Sequence, residues 1–216
     1  PFSDPQADGP VIQRSSERAL ARKVGLRTVL DVCRGFRETD TQTPLVLMGY
    51  LNPVELYGAE RFGRDAQAAG VDGLLLVDCP PEESDTLARA LSGTGIQRIL
   101  LAAPTTDDAR LQSLASASEG YLYYVSFAGV TGAARLRVDD IRERVVALRA
   151  LGGAPVAVGF GVRDAESAAA IGAFADAVVV GSALVETLST APDTEAACRL
   201  AREFLGPMRA ALDAAR

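Results

Sequence analysis

Short apolar runs recur along this chain, each followed by a stretch of helical periodicity, and that alternation constrains the fold more than any other feature. The runs are residues 44–48, 73–77, 98–102, 121–125, 155–158 and 177–180. They are continuous, not alternating apolar with polar, which marks strands buried on both faces, as in a parallel sheet covered by helices. Amphipathic stretches lie at 17–39, 54–69, 81–92, 106–115, 140–151 and 164–171, and a last one runs from Thr194 towards Ala214. In that last stretch Gly206-Pro207 is an expected kink or break. Thr105-Thr-Asp-Asp108 and Arg163-Asp-Ala-Glu166 carry helix-start chemistry.

The alternation predicts an α/β fold with right-handed crossovers and, with no linker or low-complexity tract, a single domain over residues 1–216. A (β/α)8 barrel needs eight strand–helix units, and the six runs supply six. Before them lies a polar loop, residues 1–15, that leads into a helix. Such an opening is what remains of a unit whose strand has been cut away. The chain therefore reads as a barrel lacking its first two strands and first helix. A complete, open, doubly wound sheet of six strands is the alternative, and periodicity does not separate the two.

Two of the runs stop at glycine: Pro155-Val-Ala-Val-Gly-Phe-Gly161 and Ala177-Val-Val-Val-Gly-Ser182. A phosphate needs close approach by several backbone N–H groups, and glycine permits it. Ser182 opens a short helical segment, whose free N–H groups and dipole favour an anion. Phosphate held by the loops after the last two strands recurs in (β/α)8 barrels. The pair is read as two halves of one phosphate cradle.

Composition excludes several functions. The net charge of −6 and pI near 4.8 argue against nucleic acid or an anionic membrane as partner. Affinity for a phosphate must then be local. Histidine is absent, so no His-based triad and no His-ligated metal site is available. Cys33, Cys79 and Cys198 lack a CxxC spacing, and suggest a cytoplasmic protein with neither a zinc site nor a disulfide framework. No apolar stretch has the length of a membrane span.

Polar residues gather where strands end, the catalytic face of a barrel. Asp4 and Asp8 lie in the opening loop; Gly49-Tyr50-Leu51-Asn52-Pro53 follows the first run and Asp78-Cys79-Pro80-Pro81-Glu82-Glu83 the second. Ala103-Pro-Thr-Thr106 follows the third. Ser126-Phe-Ala-Gly-Val-Thr-Gly132 follows a run carrying Tyr121, Tyr123 and Tyr124, and has the small residues of a loop able to close over a ligand.

Taken together, Pro1-Phe-Ser-Asp-Pro-Gln-Ala-Asp-Gly-Pro-Val-Ile-Gln13, Leu47-Met-Gly-Tyr-Leu-Asn-Pro53, Val77-Asp-Cys-Pro-Pro-Glu-Glu83, Ala103-Pro-Thr-Thr106, Tyr124-Val-Ser-Phe-Ala-Gly-Val-Thr-Gly132, Gly159-Phe-Gly161 and Gly181-Ser182 resemble the tryptophan synthase alpha subunit family. The resemblance implies a (β/α)8 barrel and retro-aldol cleavage of indole-3-glycerol phosphate to indole and glyceraldehyde 3-phosphate. It implies that Asp8 faces the indole N–H, and that Tyr123, Tyr50, Met48, Leu75 and Val77 line the substrate pocket. Gly132, Phe160, Gly161, Gly181 and Ser182 match its phosphate-binding positions. No cofactor is implied in this chain, pyridoxal phosphate being expected in a β-subunit partner of an α2β2 assembly.

Two departures from the pattern matter. The family's proton-transferring glutamate falls four residues upstream of the position of Pro1, and Phe127 stands where arginine is expected. The expectation for this polypeptide alone is therefore low stability and no turnover. A stand-alone lyase and a non-catalytic docking or phosphate-binding remnant are the alternatives.

Overall fold

The computed structural model describes residues 1–125, 138–159 and 161–215. The chain divides into two compact units: Pro1–Asp8, Gln13–Leu100 and Ala117–Gly120 form the first, and Gly9–Ile12, Leu101–Ser116 and Tyr121–Arg216 the second. Every apolar run overlaps a strand. These are β1 (Val46–Gly49), β2 (Gly73–Leu76), β5 (Leu122–Val125), β6 (Val156–Gly159) and β7 (Ala177–Val178), while the run at 98–102 is divided at Ile99 into β3 (Gln97–Arg98) and β4 (Leu100–Ala102).

In the first unit β1, β2 and β3 form a parallel sheet, with Leu47 opposite Leu74 and Met48 opposite Leu75. The two-residue period of a strand then sorts the side chains. Leu45, Leu47, Leu74 and Leu76 share one face and pack with Leu30, Val54, Phe62, Ala66, Leu87 and Leu91 from the helices. Those helices are α2 (Leu26–Arg37), α3 (Leu51–Tyr57), α4 (Ala59–Ala68) and, after a 3-10 turn at Pro81–Glu83, α5 (Asp85–Leu91), while α1 (Pro10–Ala21), which precedes them, buries no residue.

Three expectations need correcting here. The opening loop is shorter than expected, because Pro10 already begins α1, a position where its missing N–H and fixed φ suit a helix. The stretch at 17–39 is not one helix but two, separated by a turn in which Lys23 takes a left-handed φ of 59°. The stretch at 54–69 likewise divides, at Gly58. Arg37 secures the loops on this side of the sheet. Its guanidinium donates to the carbonyls of Gly70 (2.9 Å), Asp40 (3.0 Å) and Thr43 (2.8 Å) and to the Asp72 carboxylate (2.6 Å).

In the second unit the strand order is β4-β5-β6-β7, and β5, β6 and β7 pair in parallel. Leu122, Tyr124, Val156 and Val158 are buried, as are Ile141, Val145, Leu148, Ala168 and Ile171 of the helices. The helices are α6 (Asp108–Ala117), α7 (Val138–Ala150), α8 (Ala165–Gly172), α9 (Ser182–Ser189) and α10 (Thr194–Ala214). Helix starts fall where their chemistry predicts. Asp107 accepts from the Arg110 N–H (2.9 Å), and Asp164 forms a reciprocal capping box with Ser167. The expected break at Gly206-Pro207 does not end α10, which continues past Pro207. Packing holds it on both sides of the proline: Ala196 and Met208 are buried, and Leu212 lies over the bare Cα of Gly172 in α8.

Candidate active site

The residues expected at the substrate's ring end lie at the C-terminal ends of β1 and β2 and just beyond them. Met48 opposes Leu75, and two residues on, at the same offset, come Tyr50 and Val77. These four occupy the sheet face opposite the leucine core. Leu75 is buried and Met48 is 56 % exposed, an unusual exposure for methionine on a strand. Tyr50 lies between β1 and α3, where it sits as the N-cap of α3 in extended conformation (φ −117°, ψ 155°).

Tyr50 joins the opening segment through its hydroxyl. It donates to Asp8 Oδ2 (3.1 Å) and accepts from the Ala7 N–H (3.0 Å), while Phe2 lies against its ring at 5.1 Å between centroids. The Asp8 carbonyl is held in turn by Gln13 Nε2 (2.8 Å). Burial pushes the Asp8 carboxyl above its ordinary 3.8, and the Tyr50 hydrogen bond opposes that shift. Burial first, with the Asp8 charge beside it, pushes Tyr50 up to about 12. Tyr50 thus stays a neutral donor at all ordinary pH, and its proton points at the carboxylate. Sequence reasoning placed both residues at the site but missed that they bond to each other. It also left Asp78 without a role; the Asp78 Oδ1 accepts from the Leu51 N–H at 2.7 Å. Asp4 is exposed and accepts from its neighbour Ser3.

The glycine turns belong to the second unit. Ala157 pairs with Ala177 and Val158 with Val178, and in sequence Gly161 and Gly181 each come four residues after a member of one pair. The Val179 N–H still reaches the Val158 carbonyl (2.8 Å), carrying the ladder towards both turns. Gly161 adopts φ +49°, which favours glycine. Beside Gly161 and Gly181 the space a Cβ would fill is open. Gly181 caps α9 at its N-terminus, and its carbonyl takes the N–H groups of Leu184 and Val185. The N–H groups of Ser182 and Ala183, in the first turn, therefore have no partner within the helix.

Gly159 is different from its neighbours. A Cβ there would collide with the Tyr123 hydroxyl and ring edge, so this glycine makes room for tyrosine. Tyr123 pairs with Ala157 across β5 and β6, is 8 % exposed, and burial raises its pKa. Ser126 to Gly132, including Phe127, lies outside the described residues, and so does Phe160. Among the described residues no cluster of three or more His, Cys, Asp or Glu side chains is placed to hold a metal ion.

Comparison with known proteins gives one answer. The family model for the tryptophan synthase alpha chain matches residues 1–213. A tryptophan synthase alpha chain of Xylella fastidiosa (strain M12) is 59% identical over 214 residues, which are 99% of this chain and 80% of that protein. One from Xanthomonas campestris pv. campestris (strain 8004) is 57% identical over 215 residues, 99% of this chain and 79% of that one. A crystal structure of the tryptophan synthase alpha chain from Legionella pneumophila subsp. pneumophila superposes with a TM-score of 0.87 at 42% identity, covering 99% of this chain and 78% of the other. The tryptophan synthase complex of Pyrococcus furiosus contains a similar chain, with a TM-score of 0.85 at 34% identity, covering 97% of this chain and 84% of its own.

Proposed function

The chain belongs to the tryptophan synthase alpha chain family, a family of lyases with the (β/α)8-barrel fold, and we propose that Asp8 and Tyr50 serve the aromatic end of the substrate while Gly161, Gly181 and Ser182 hold its phosphate. The family reaction splits indole-3-glycerol phosphate into indole and glyceraldehyde 3-phosphate in tryptophan biosynthesis. Cleavage requires a proton at the indole ring carbon that bears the side chain and removal of the proton from the adjacent hydroxyl. Positive charge then develops on the ring. An ionised Asp8 beside the ring N–H interacts more strongly with that transition state than with the neutral ground state.

The bond from Tyr50 to Asp8 is the observation that carries this reading. It holds the carboxylate in one rotamer and favours its ionised form against the pull of burial. By resemblance, Met48, Leu75 and Val77 are assigned to the indole ring, and Tyr123 to substrate binding. Gly132 and Phe160 are assigned to the phosphate by resemblance. Phosphate recognition by backbone amides, not by lysine or arginine, suits a chain of net charge −6.

Proton transfer is assigned to the glutamate that the family carries four residues before the position of Pro1. A single barrel domain, a cytoplasmic location, absence of a cofactor from this chain and an α2β2 assembly with a pyridoxal-phosphate-bearing β subunit complete the proposal. Free Cys33, Cys79 and Cys198 support the location, and among the described residues no helix is long and apolar enough to cross a membrane. The decisive experiment compares indole release by this 216-residue polypeptide with that of a form extended upstream through the glutamate. Turnover by the extended form alone is expected. Equal turnover by both removes the glutamate from the account, and turnover by neither leaves a docking remnant.

A further inference from the structure

Asp78 follows β2, is solvent-exposed, and has no part in the reading above. Its surroundings show what it does. The β1–β2 ladder ends with the Val77 N–H bonded to the Gly49 carbonyl at 3.0 Å. One step on, the Leu51 N–H points the same way, and there the acceptor is no longer backbone but the Asp78 carboxylate, at 2.7 Å. The side chain takes over where the ladder stops.

Leu51 is the first residue of α3, whose own N-cap residue supplies no side-chain acceptor. Pro53, two residues on, has no N–H to satisfy. The Leu51 amide also lies in one rigid peptide plane with the carbonyl and Cα of Tyr50. Fixing that N–H therefore fixes the backbone from which the Tyr50 ring departs. At the far end of the ring, the hydroxyl lies between the Ala7 N–H and Asp8 Oδ2.

We propose that Asp78 is a positioning residue for the lyase reaction, holding the start of α3 so that the Tyr50 hydroxyl meets both Ala7 and the Asp8 carboxylate. This rests on the reading that Asp8 faces the indole N–H. Asp78 touches no reacting atom and acts through Leu51 and Tyr50. Its carboxylate also complements the positive end of α3.

Two substitutions break the link from opposite sides. Asp78→Ala removes the acceptor. Leu51→Pro removes the donor and keeps the Asp78 charge; proline suits a first helical position, and Tyr50, at φ −117° and ψ 155°, already has the extended backbone that a following proline requires. Asp78→Asn retains an acceptor oxygen and is the conservative control.

The primary readout is amide hydrogen exchange at Ala7, whose N–H has the Tyr50 hydroxyl as its acceptor, with Tyr50→Phe marking full loss. Expected is Ala7 exchange in Asp78→Ala and Leu51→Pro within about twofold of Tyr50→Phe, and Asp78→Asn close to the parent. Affinity for indole-3-glycerol phosphate, measured by calorimetry, falls roughly tenfold in the first two and is retained in Asp78→Asn. Ala7 exchange unchanged in folded Asp78→Ala or Leu51→Pro overturns the proposal, as does equal exchange in Asp78→Ala and Asp78→Asn. If exchange responds as expected but affinity does not, positioning of Tyr50 stands and the assignment of Asp8 to the substrate falls.

Discussion

The two regions assigned to the substrate, one in each unit, are built from different materials. At the aromatic end, in the first unit, recognition is assigned to side chains: Tyr50 donates to Asp8 from a separate segment, and Asp78, from a third, holds the Leu51 N–H beside Tyr50. At the phosphate end, in the second unit, the assigned groups are backbone: the glycines that follow β6 and β7, and the first amides of α9. A side-chain network can be taken apart one atom at a time. A backbone cradle fails only when something blocks it or bends it. Substitutions should therefore act sharply at the first end and sterically at the second.

The largest expected effect is that of Asp8→Asn. In the form that turns over, it should lower kcat by roughly 10²–10³, the scale of a lost preorganised electrostatic contact, with phosphate affinity unchanged in a competition assay. A comparable loss of phosphate affinity would merge the two ends and break the comparison.

Next comes Gly181→Val, which fills open space beside the first turn of α9. Affinity for glyceraldehyde 3-phosphate and for indole-3-glycerol phosphate should fall together, by roughly tenfold or more. Binding of free indole should stay as it was, and calorimetry with each ligand separates the cases.

Gly159→Ala sharpens the comparison, because that glycine serves Tyr123. The added methyl meets the tyrosine, and the expected cost is about 1–3 kcal/mol of stability by urea unfolding. Inorganic phosphate affinity should barely change. Should phosphate binding weaken as much as in Gly181→Val, Gly159 belongs to the cradle after all.

The smallest effect is on pH dependence. Burial raises the Asp8 carboxyl in the folded state, so folding takes up a proton between its ordinary value and the raised one. That contribution to stability is fully present below the unfolded value and is lost as pH rises through the folded one. Affinity for the indole end should move the opposite way, increasing as Asp8 ionises. Asp8→Asn should flatten both profiles, and a parent profile already flat across the acid range would show that Asp8 does not titrate there.

Much of the second unit was legible in the sequence. A strand ending in glycine declares itself locally, and Asp164 and Asp107 cap helices within a few residues of where they stand. The aromatic end was legible only as a set of residues. Tyr50 and Asp8 are 42 positions apart, and nothing local says that one donates to the other. A helix at Leu51 without a capping side chain of its own was the available signal that an acceptor must arrive from elsewhere. The missed boundaries have the same origin. Periodicity continues across residues 17–39, but Lys23 turns the chain at a backbone angle that the pattern does not encode. Pro207 misled in the other direction, since packing of Met208 and Leu212 outweighs one lost helical bond.

The sequence by itself determined the alternation of buried strands and helices, the exclusion of histidine chemistry and the glycine turns after β6 and β7, because periodicity and residue chemistry are local properties. Tertiary structure decided that Gly159 is occupied by Tyr123, that Tyr50 bonds Asp8, and that Asp78 extends the β1–β2 ladder. Each of these is a contact between segments far apart in the chain, and such contacts exist only once strand register has set which residues stand side by side.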